Sequence, residues 1–194
     1  LRPGHVVYDV GSEEGDLSAL YASWGCQVVL AEPNPKAWPC IRATFEANRL
    51  APAAWWQGLL SDKVWAIDAQ ARLGLVDWPA CAYDPMVPDH GFYSIWEHHE
   101  VAPALTLDEL ADRTGLPPDA VTIDVEGGEF HVLRGARRTL QCHRPAVFVS
   151  VHPQFMREHY RLDPGELFDL MDELGYDATF LATDHEDHWR FLPR

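Results

Sequence analysis

The feature that most narrows the fold is a unit that occurs twice near the start of the chain: an apolar run, an acidic turn and a helical stretch. His5 to Val10 forms a short apolar run closing on Asp9 and Gly11. Asp16 to Trp24 then shows helical spacing through Leu17, Leu20, Tyr21 and Trp24, ended by Gly25. A second run, Cys26 to Ala31, ends in Glu32-Pro33-Asn34-Pro35, and a helix is predicted from about Pro35 to Asn48, with Pro39 tolerated near its first turn. Successive units of this kind call for a parallel sheet with its crossovers on the faces.

A third strand is predicted over Ala53 to Leu60 and a short one over Val64 to Asp68. From Ala69 to Ala104 the periodicity fades into a segment of prolines, aromatics and histidines, which reads as short irregular strands and loops of the kind that form lids or binding loops. Order returns with a short helix in "TLDELADRTG" from Thr106, a strand over Ala120 to Val125, a helix over roughly Gly128 to Leu140 and a strand over Ala146 to Val151. A helix near Pro164 to Leu174 and a hairpin of Tyr176 to Ala182 with His188 to Leu192 close the chain. A terminal hairpin on an alternating β/α chain predicts a mostly parallel sheet with one antiparallel strand. With 194 residues, 47% of them hydrophobic, and no linker or internal repeat, one domain over 1–194 is expected.

Charge and cysteine usage exclude several classes of function. Thirty acidic residues against 15 basic ones give a net charge of −15, a field that repels phosphate backbones, so no nucleic-acid partner is expected and a small or cationic ligand is. No apolar run reaches the ~18–20 residues of a membrane helix, and the first residues carry no signal region. Cys26, Cys40, Cys81 and Cys142 are scattered, without a CxxC pair, which predicts free and mostly buried thiols in a reducing, cytoplasmic compartment.

The turn "GSEEG" carries the chemistry. In open parallel sheets ligands sit outside the carboxyl ends of the strands, and the polar residues fall there: Asp9 with Gly11 to Gly15, Glu32, Asp62, Asp124 with Glu126, and His152. Glu32 lies about 20 residues beyond the glycine turn, the spacing of a carboxylate that takes hydrogen bonds from both hydroxyls of a ribose. A dinucleotide would press its pyrophosphate against Glu13 and Glu14 with no Lys or Arg in the turn, and the spacing is G-x-x-x-G rather than G-x-G-x-x-G. S-adenosylmethionine carries no phosphate, and its sulfonium and ammonium are attracted by carboxylates.

In order along the chain, "VVYDVGSEEGDLSALYASWGCQVVLAEPNP", "LTLDEL", "TIDVEGGEFHVLRGARRTL" and "RPAVFVSVHP" resemble the FkbM-type family of class I S-adenosylmethionine-dependent methyltransferases. The resemblance covers nearly the whole chain. It implies a Rossmann-like α/β fold with a seven-stranded, mostly parallel sheet in the order 3-2-1-4-5-7-6, helices on both faces, and methylation of a hydroxyl on a sugar, natural product or other small molecule. It aligns Asp9, Gly11 and Gly15, with Ser12 and Glu13 between, on the cofactor turn, Glu32 and the adjoining Pro33 on the ribose clamp, and Ser61 and Asp62 beside adenine. Asp124 and Glu126 fall on the acidic motif that faces the transferred methyl. Glu13 departs from the small amide residue common at its position, and Ser150 stands where a carboxylate often precedes the His152 position. The chain starts almost directly at its first strand, whereas relatives carry a preceding segment, so a truncation or a short lid is expected.

An alcohol acceptor needs a base, for which Asp124, Glu126, His152 and the loop pair His98 and His99 are candidates, with Asp124 or His152 preferred. Asp124, Glu126 and His152 are also the residues that would hold a divalent metal such as Mg, able to orient a diol. Phe92, Tyr93 and Trp96 are the best choices for an aromatic wall over the substrate, while Trp55 and Trp56 read as core. The turn "TDHEDH" between the last strands resembles a metal cluster on paper, but polar residues at a hairpin tip usually face solvent. Two other functions stay open: a methyltransferase acting on RNA or protein, disfavoured by charge and by the lack of an Asn-Pro-Pro-aromatic motif, and a cofactor-binding domain inactive alone.

Overall fold

The computed structural model describes residues 1–65, 73–75, 78 and 103–194. The first unit is β1 (Val6–Val10) and α1 (Asp16–Ser23), the second β2 (Gln27–Ala31) and α2 (Ala37–Ala47), followed by β3 (Ala54–Trp56), β4 (Leu59–Leu60), β5 (Leu73–Gly74) and β6 (Ala104–Leu105). Then come α3 (Leu107–Thr114), β7 (Ala120–Ile123), α4 (Glu129–Arg134), α5 (Arg137–His143), β8 (Ala146–Val151), α6 (Pro153–Tyr160), α7 (Gly165–Glu173), β9 (Tyr176–Thr183) and β10 (Asp187–Pro193).

The main sheet has eight strands in the order β5-β3-β2-β1-β7-β8-β10-β9. From β3 to β8 neighbouring strands are parallel, while β10 runs antiparallel to both β8 and β9. Seven of the strands thus follow the expected order, and the count differs because β5 adds a short antiparallel edge to β3 through Trp55 and Gly74.

Three other expectations are corrected. The strand expected over Ala53 to Leu60 is two: β3 stays in the main sheet, and β4 leaves it to pair with β6. Val64 and Trp65 lie in no strand, and the rest of the strand expected there falls outside the described residues. The helix expected over Gly128 to Leu140 breaks into α4 and α5 at Gly135, where a Cβ would sit 2.0 Å from the Ser61 carbonyl oxygen. That approach packs the segment after β4 against the break. One helix, α6, had no expected counterpart; Pro153 occupies its first turn, where its missing N–H goes unneeded.

Alternation along the strands places two cores on opposite faces of the sheet. Val6, Tyr8 and Val10 with Val29 face Leu107, Leu110, Leu133, Leu167 and Met171 of the later helices. Val7, Val28 and Leu30 face Ala19 and Tyr21 of α1 and Trp38, Ile41 and Phe45 of α2. Both Trp55 and Trp56 are buried, in keeping with their reading as core. The cysteines are less buried than expected: Cys26 is buried, but Cys40 and Cys142 are exposed, all three as free thiols, and Cys81 lies outside the described residues. Among the described residues no helix is long and apolar enough to cross a membrane.

The sharpest packing constraint is at Gly11, which has a φ of 83° and whose added Cβ would lie 1.7 Å from the Asp124 carbonyl oxygen. A side chain there is opposed both by the left-handed backbone and by the neighbouring strand end. Gly11→Ala should therefore lower the unfolding free energy by ~2–4 kcal/mol in urea denaturation. A loss within half a kcal/mol would show that the two turns can move apart freely.

Candidate active site

The strand order reverses direction between β1 and β7, and in open sheets of this kind ligands bind outside the carboxyl ends at such a switch point. Two acidic turns flank it. After β1, the Gly11 N–H donates to the Ala31 carbonyl at 2.9 Å, the buried Ser12 hydroxyl donates to the Asp9 carbonyl at 2.9 Å, and the Gly15 N–H donates to the Ser12 carbonyl at 2.7 Å. These bonds curl the chain into α1 and leave the side chains of Glu13 and Glu14 exposed. Glu13 takes a left-handed φ of 46°, a conformation uncommon for residues other than glycine.

Asp9 lies beneath this turn. One carboxylate oxygen accepts from the Ser18 hydroxyl of α1 and the other from the Thr122 hydroxyl of β7, at 2.7 Å for the latter. Burial raises its pKa, against the lowering effect of the two hydroxyls. Its carboxylate therefore fastens β1, α1 and β7 together from inside the fold.

Glu32 ends β2 and is buried. One carboxylate oxygen accepts the Glu13 N–H at 3.0 Å and the other the Asn34 N–H at 2.7 Å, while its carbonyl accepts the Trp38 indole N–H at 3.1 Å. Burial pushes its pKa up to about 7, with the two backbone N–H groups pulling down and the charges of Glu13 and Asp9 pushing further up. Pro33 follows, half-buried. Ser61 and Asp62 come after β4; the Asp62 carboxylate pairs with Arg134 of α4 and lies 3.6 Å from His131 Nδ1.

The second acidic turn follows β7. Asp124 is half-exposed, Glu126 has a φ of 54°, and both face His152 at the end of β8. The imidazole Nε2 lies 3.7 Å from Asp124 Oδ1, 3.4 Å from Glu126 Oε2 and 3.7 Å from Glu186 Oε2. Its Nδ1 lies 2.8 Å from Oε1 of Glu129, which is fully buried and also accepts the Gly127 N–H at 2.8 Å. Burial would lower the His152 pKa, but the hydrogen bond to Glu129 and the charges of Glu129, Glu126 and Asp124 outweigh it and bring the value to about 9. Partial burial, joined by Glu186, Glu126 and Glu129, lifts Asp124 to about 6 against the lowering effect of His152, and Glu126 is raised by burial and by the charges of Glu186, Glu129 and Glu13 against His152.

Asp124, Glu126 and His152, assigned together from the sequence, thus meet in one group able to hold a metal ion. Glu129 and Glu186 were missed. Glu186 belongs to the hairpin turn expected to face solvent, yet it is buried, because the pairing of Asp187 with Val151 sets the preceding residue beside His152. That register is set by pairing with β8 and is not displayed by the hairpin's own sequence. His185 and Asp184 of the same turn are exposed, as expected. Phe92, Tyr93, Trp96, His98 and His99 lie outside the described residues.

The buried carboxyl of Glu32 makes stability depend on pH. The folded chain holds its proton up to about 7, against 4.5 for the ordinary group, so between these values the folded state binds more protons than the unfolded one. Stability contributed by this site falls as pH rises through that window, by about 3 kcal/mol, and levels off above it. Urea unfolding of Glu32→Gln should lack this decline relative to the wild type. Equal slopes for the two proteins between pH 4.5 and 7 would show that the carboxyl is not strained by its burial.

A family model described as the methyltransferase FkbM domain matches residues 6–178. Among solved structures, a methyltransferase FkbM from Methylobacillus flagellatus superposes with a TM-score of 0.63 at 15% identity, over 98% of this chain and 44% of that one. The chain therefore spans less than half the length of that relative. A precorrin-6y C5,15-methyltransferase from Geobacter metallireducens gives 0.57 at 11% identity, covering 100% and 83% of the two chains. A magnesium protoporphyrin IX methyltransferase from Synechocystis, with S-adenosylmethionine bound, gives 0.55 at 12%, covering 99% and 71%. No curated protein sequence matches. At these identities the structures show a shared class I methyltransferase fold.

Proposed function

The chain belongs to the FkbM methyltransferase family, and from that premise we propose that it transfers a methyl group from S-adenosylmethionine to a hydroxyl oxygen of a small molecule such as a sugar or natural product. The observation that carries the reading is the pairing of two acidic turns across Gly11, one backed by the buried Glu32 and the other presenting the half-exposed Asp124.

The residues fit the cofactor. A carboxylate has about four lone-pair sites, and each Glu32 oxygen takes one backbone N–H among the described residues, leaving capacity for the two ribose hydroxyls. Asp9, Gly11, Ser12 and Gly15 shape the turn that receives the amino-acid end, Glu13 adds negative charge there, Pro33 flanks the ribose, and Ser61 and Asp62 border adenine. Bound S-adenosylmethionine supplies a methyl carbon activated by the sulfonium and departs as S-adenosylhomocysteine. The chain's task is then alignment of the acceptor oxygen and removal of its proton. Asp124 is the more exposed carboxylate of the second turn, and it takes the hydroxyl proton as the oxygen–methyl bond forms and the sulfur–methyl bond breaks.

Glu126 and His152 lie beside Asp124, and the three offer the donors for a divalent cation, which would orient a diol and acidify its hydroxyl. The net charge of −15 favours a small acceptor over RNA. Incubation with methyl-tritiated S-adenosylmethionine and mixed pools of sugars, polyols, RNA and protein tests this reading. Label should enter the small-molecule fraction, and Asp124→Asn should reduce its incorporation by ~10²-fold or more with S-adenosylhomocysteine affinity kept within a few-fold. Label confined to RNA or protein, or wild-type turnover in the variant, would contradict it.

A further inference from the structure

We propose that Asp124, Glu126 and His152 form a site for a first-row divalent cation such as Mn²⁺, completed by Glu186 from the turn between β9 and β10. The cation stands on the geometry of the cluster; its part in presenting the acceptor rests on the function proposed above.

The His152 ring is more than nine-tenths buried. Nδ1 faces Glu129 Oε1 at 2.8 Å, and because a carboxylate only accepts, Nδ1 is the donor. Phe155 stacks on the ring at an interplanar angle of 5° and fixes its plane. Nε2 makes no hydrogen bond among the described residues and is aimed at carboxylate oxygens from Asp124, Glu126 and Glu186, at 3.7, 3.4 and 3.7 Å. These separations are longer than normal N–H···O bonds. They approach the ~3–3.5 Å expected between neighbouring donors around one ion with bonds of about 2.1 Å. A buried carboxylate on the far nitrogen, holding ring and tautomer, is the usual outer support of a metal-bound histidine.

Glu186 supplies the second observation. It is buried at a hairpin tip where Asp184 and His185 are exposed, so its carboxylate has turned away from available solvent. Its backbone carbonyl accepts the Asp184 N–H at 3.2 Å, but its carboxylate accepts no backbone N–H among the described residues; the groups near the carboxylate are imidazole nitrogens, His185 Nε2 at 3.1 Å, His152 Nε2 at 3.7 Å and His188 Nε2 at 3.9 Å. The competing group of Asp184, Glu186 and His188 is the weaker candidate, because one Asp184 oxygen already accepts the N–H groups of His185 and Glu186, at 2.6 and 3.3 Å, as a cap of its own turn. An imidazole beside three carboxylates favours a transition-metal ion over Mg²⁺ or Ca²⁺, which prefer all-oxygen sites. Binding would clamp the terminal hairpin to the edge where the methyl is transferred.

The test is a titration of the full chain with Mn²⁺, followed by electron paramagnetic resonance of the free ion, with no S-adenosylmethionine present. The wild type should bind one ion tightly and keep it against equal Ca²⁺. Glu186→Gln and Glu126→Gln should each weaken binding by about tenfold or more, and Asp184→Asn should leave it unchanged. Glu126→Gln tests the site from the far side of the cluster if Glu186→Gln fails to fold, which circular dichroism reports. Absence of a tight ion in the wild type, wild-type affinity in the folded Glu186 or Glu126 variant, or an equal loss in Asp184→Asn would overturn the site. Because cofactor is absent, that result leaves the methyltransferase reading standing, and failure to bind cofactor leaves the ion site standing.

Discussion

The arrangement hangs on the contact between Gly11 and the Asp124 carbonyl. Two adjacent parallel strands end side by side, and only a residue without a Cβ lets the turn after β1 close against the turn after β7. Asp9 reinforces the contact from below, holding Ser18 of α1 and Thr122 of β7 with the same carboxylate. Glu32 holds it from the other side through the Glu13 N–H. The positions of both acidic turns, and of everything they present, follow from these local bonds.

That geometry concentrates negative charge where burial makes charge expensive. Glu32, Asp124 and Glu126 have raised pKa values because each loses water beside other carboxylates, and His152 is raised because carboxylates surround it. Such strain is retained at sites where an incoming group relieves it. A cationic incoming group relieves it, which fits S-adenosylmethionine, with its sulfonium and ammonium, better than a dinucleotide with its anionic pyrophosphate.

Much of this was legible in the sequence, for physical reasons that can be named. The period of the apolar residues and the Gly11 and Glu32 spacing gave the parallel core of the sheet, because a strand-turn-helix unit leaves few alternatives. Asp124, Glu126 and His152 were legible because strand ends in such sheets converge on one edge. Strand breaks at Gln57 and Gly58 and the helix break at Gly135 were not, since they depend on packing between distant segments such as Gly135 against Ser61. Glu129 and Glu186 were hidden for a related reason: one reads as an ordinary first-turn acid of a helix, and the other is placed by cross-strand register, which the hairpin's own sequence does not display.

The central claim is that the crevice between β1 and β7 binds S-adenosylmethionine with Glu32 on its ribose. Calorimetric titration with S-adenosylhomocysteine, beside NADH as the control ligand, tests it most directly. The account predicts micromolar binding of the first, none of the second, and a clear loss of affinity in Glu32→Ala. Binding of NADH in its place, or affinity for S-adenosylhomocysteine that ignores the loss of Glu32, would contradict it.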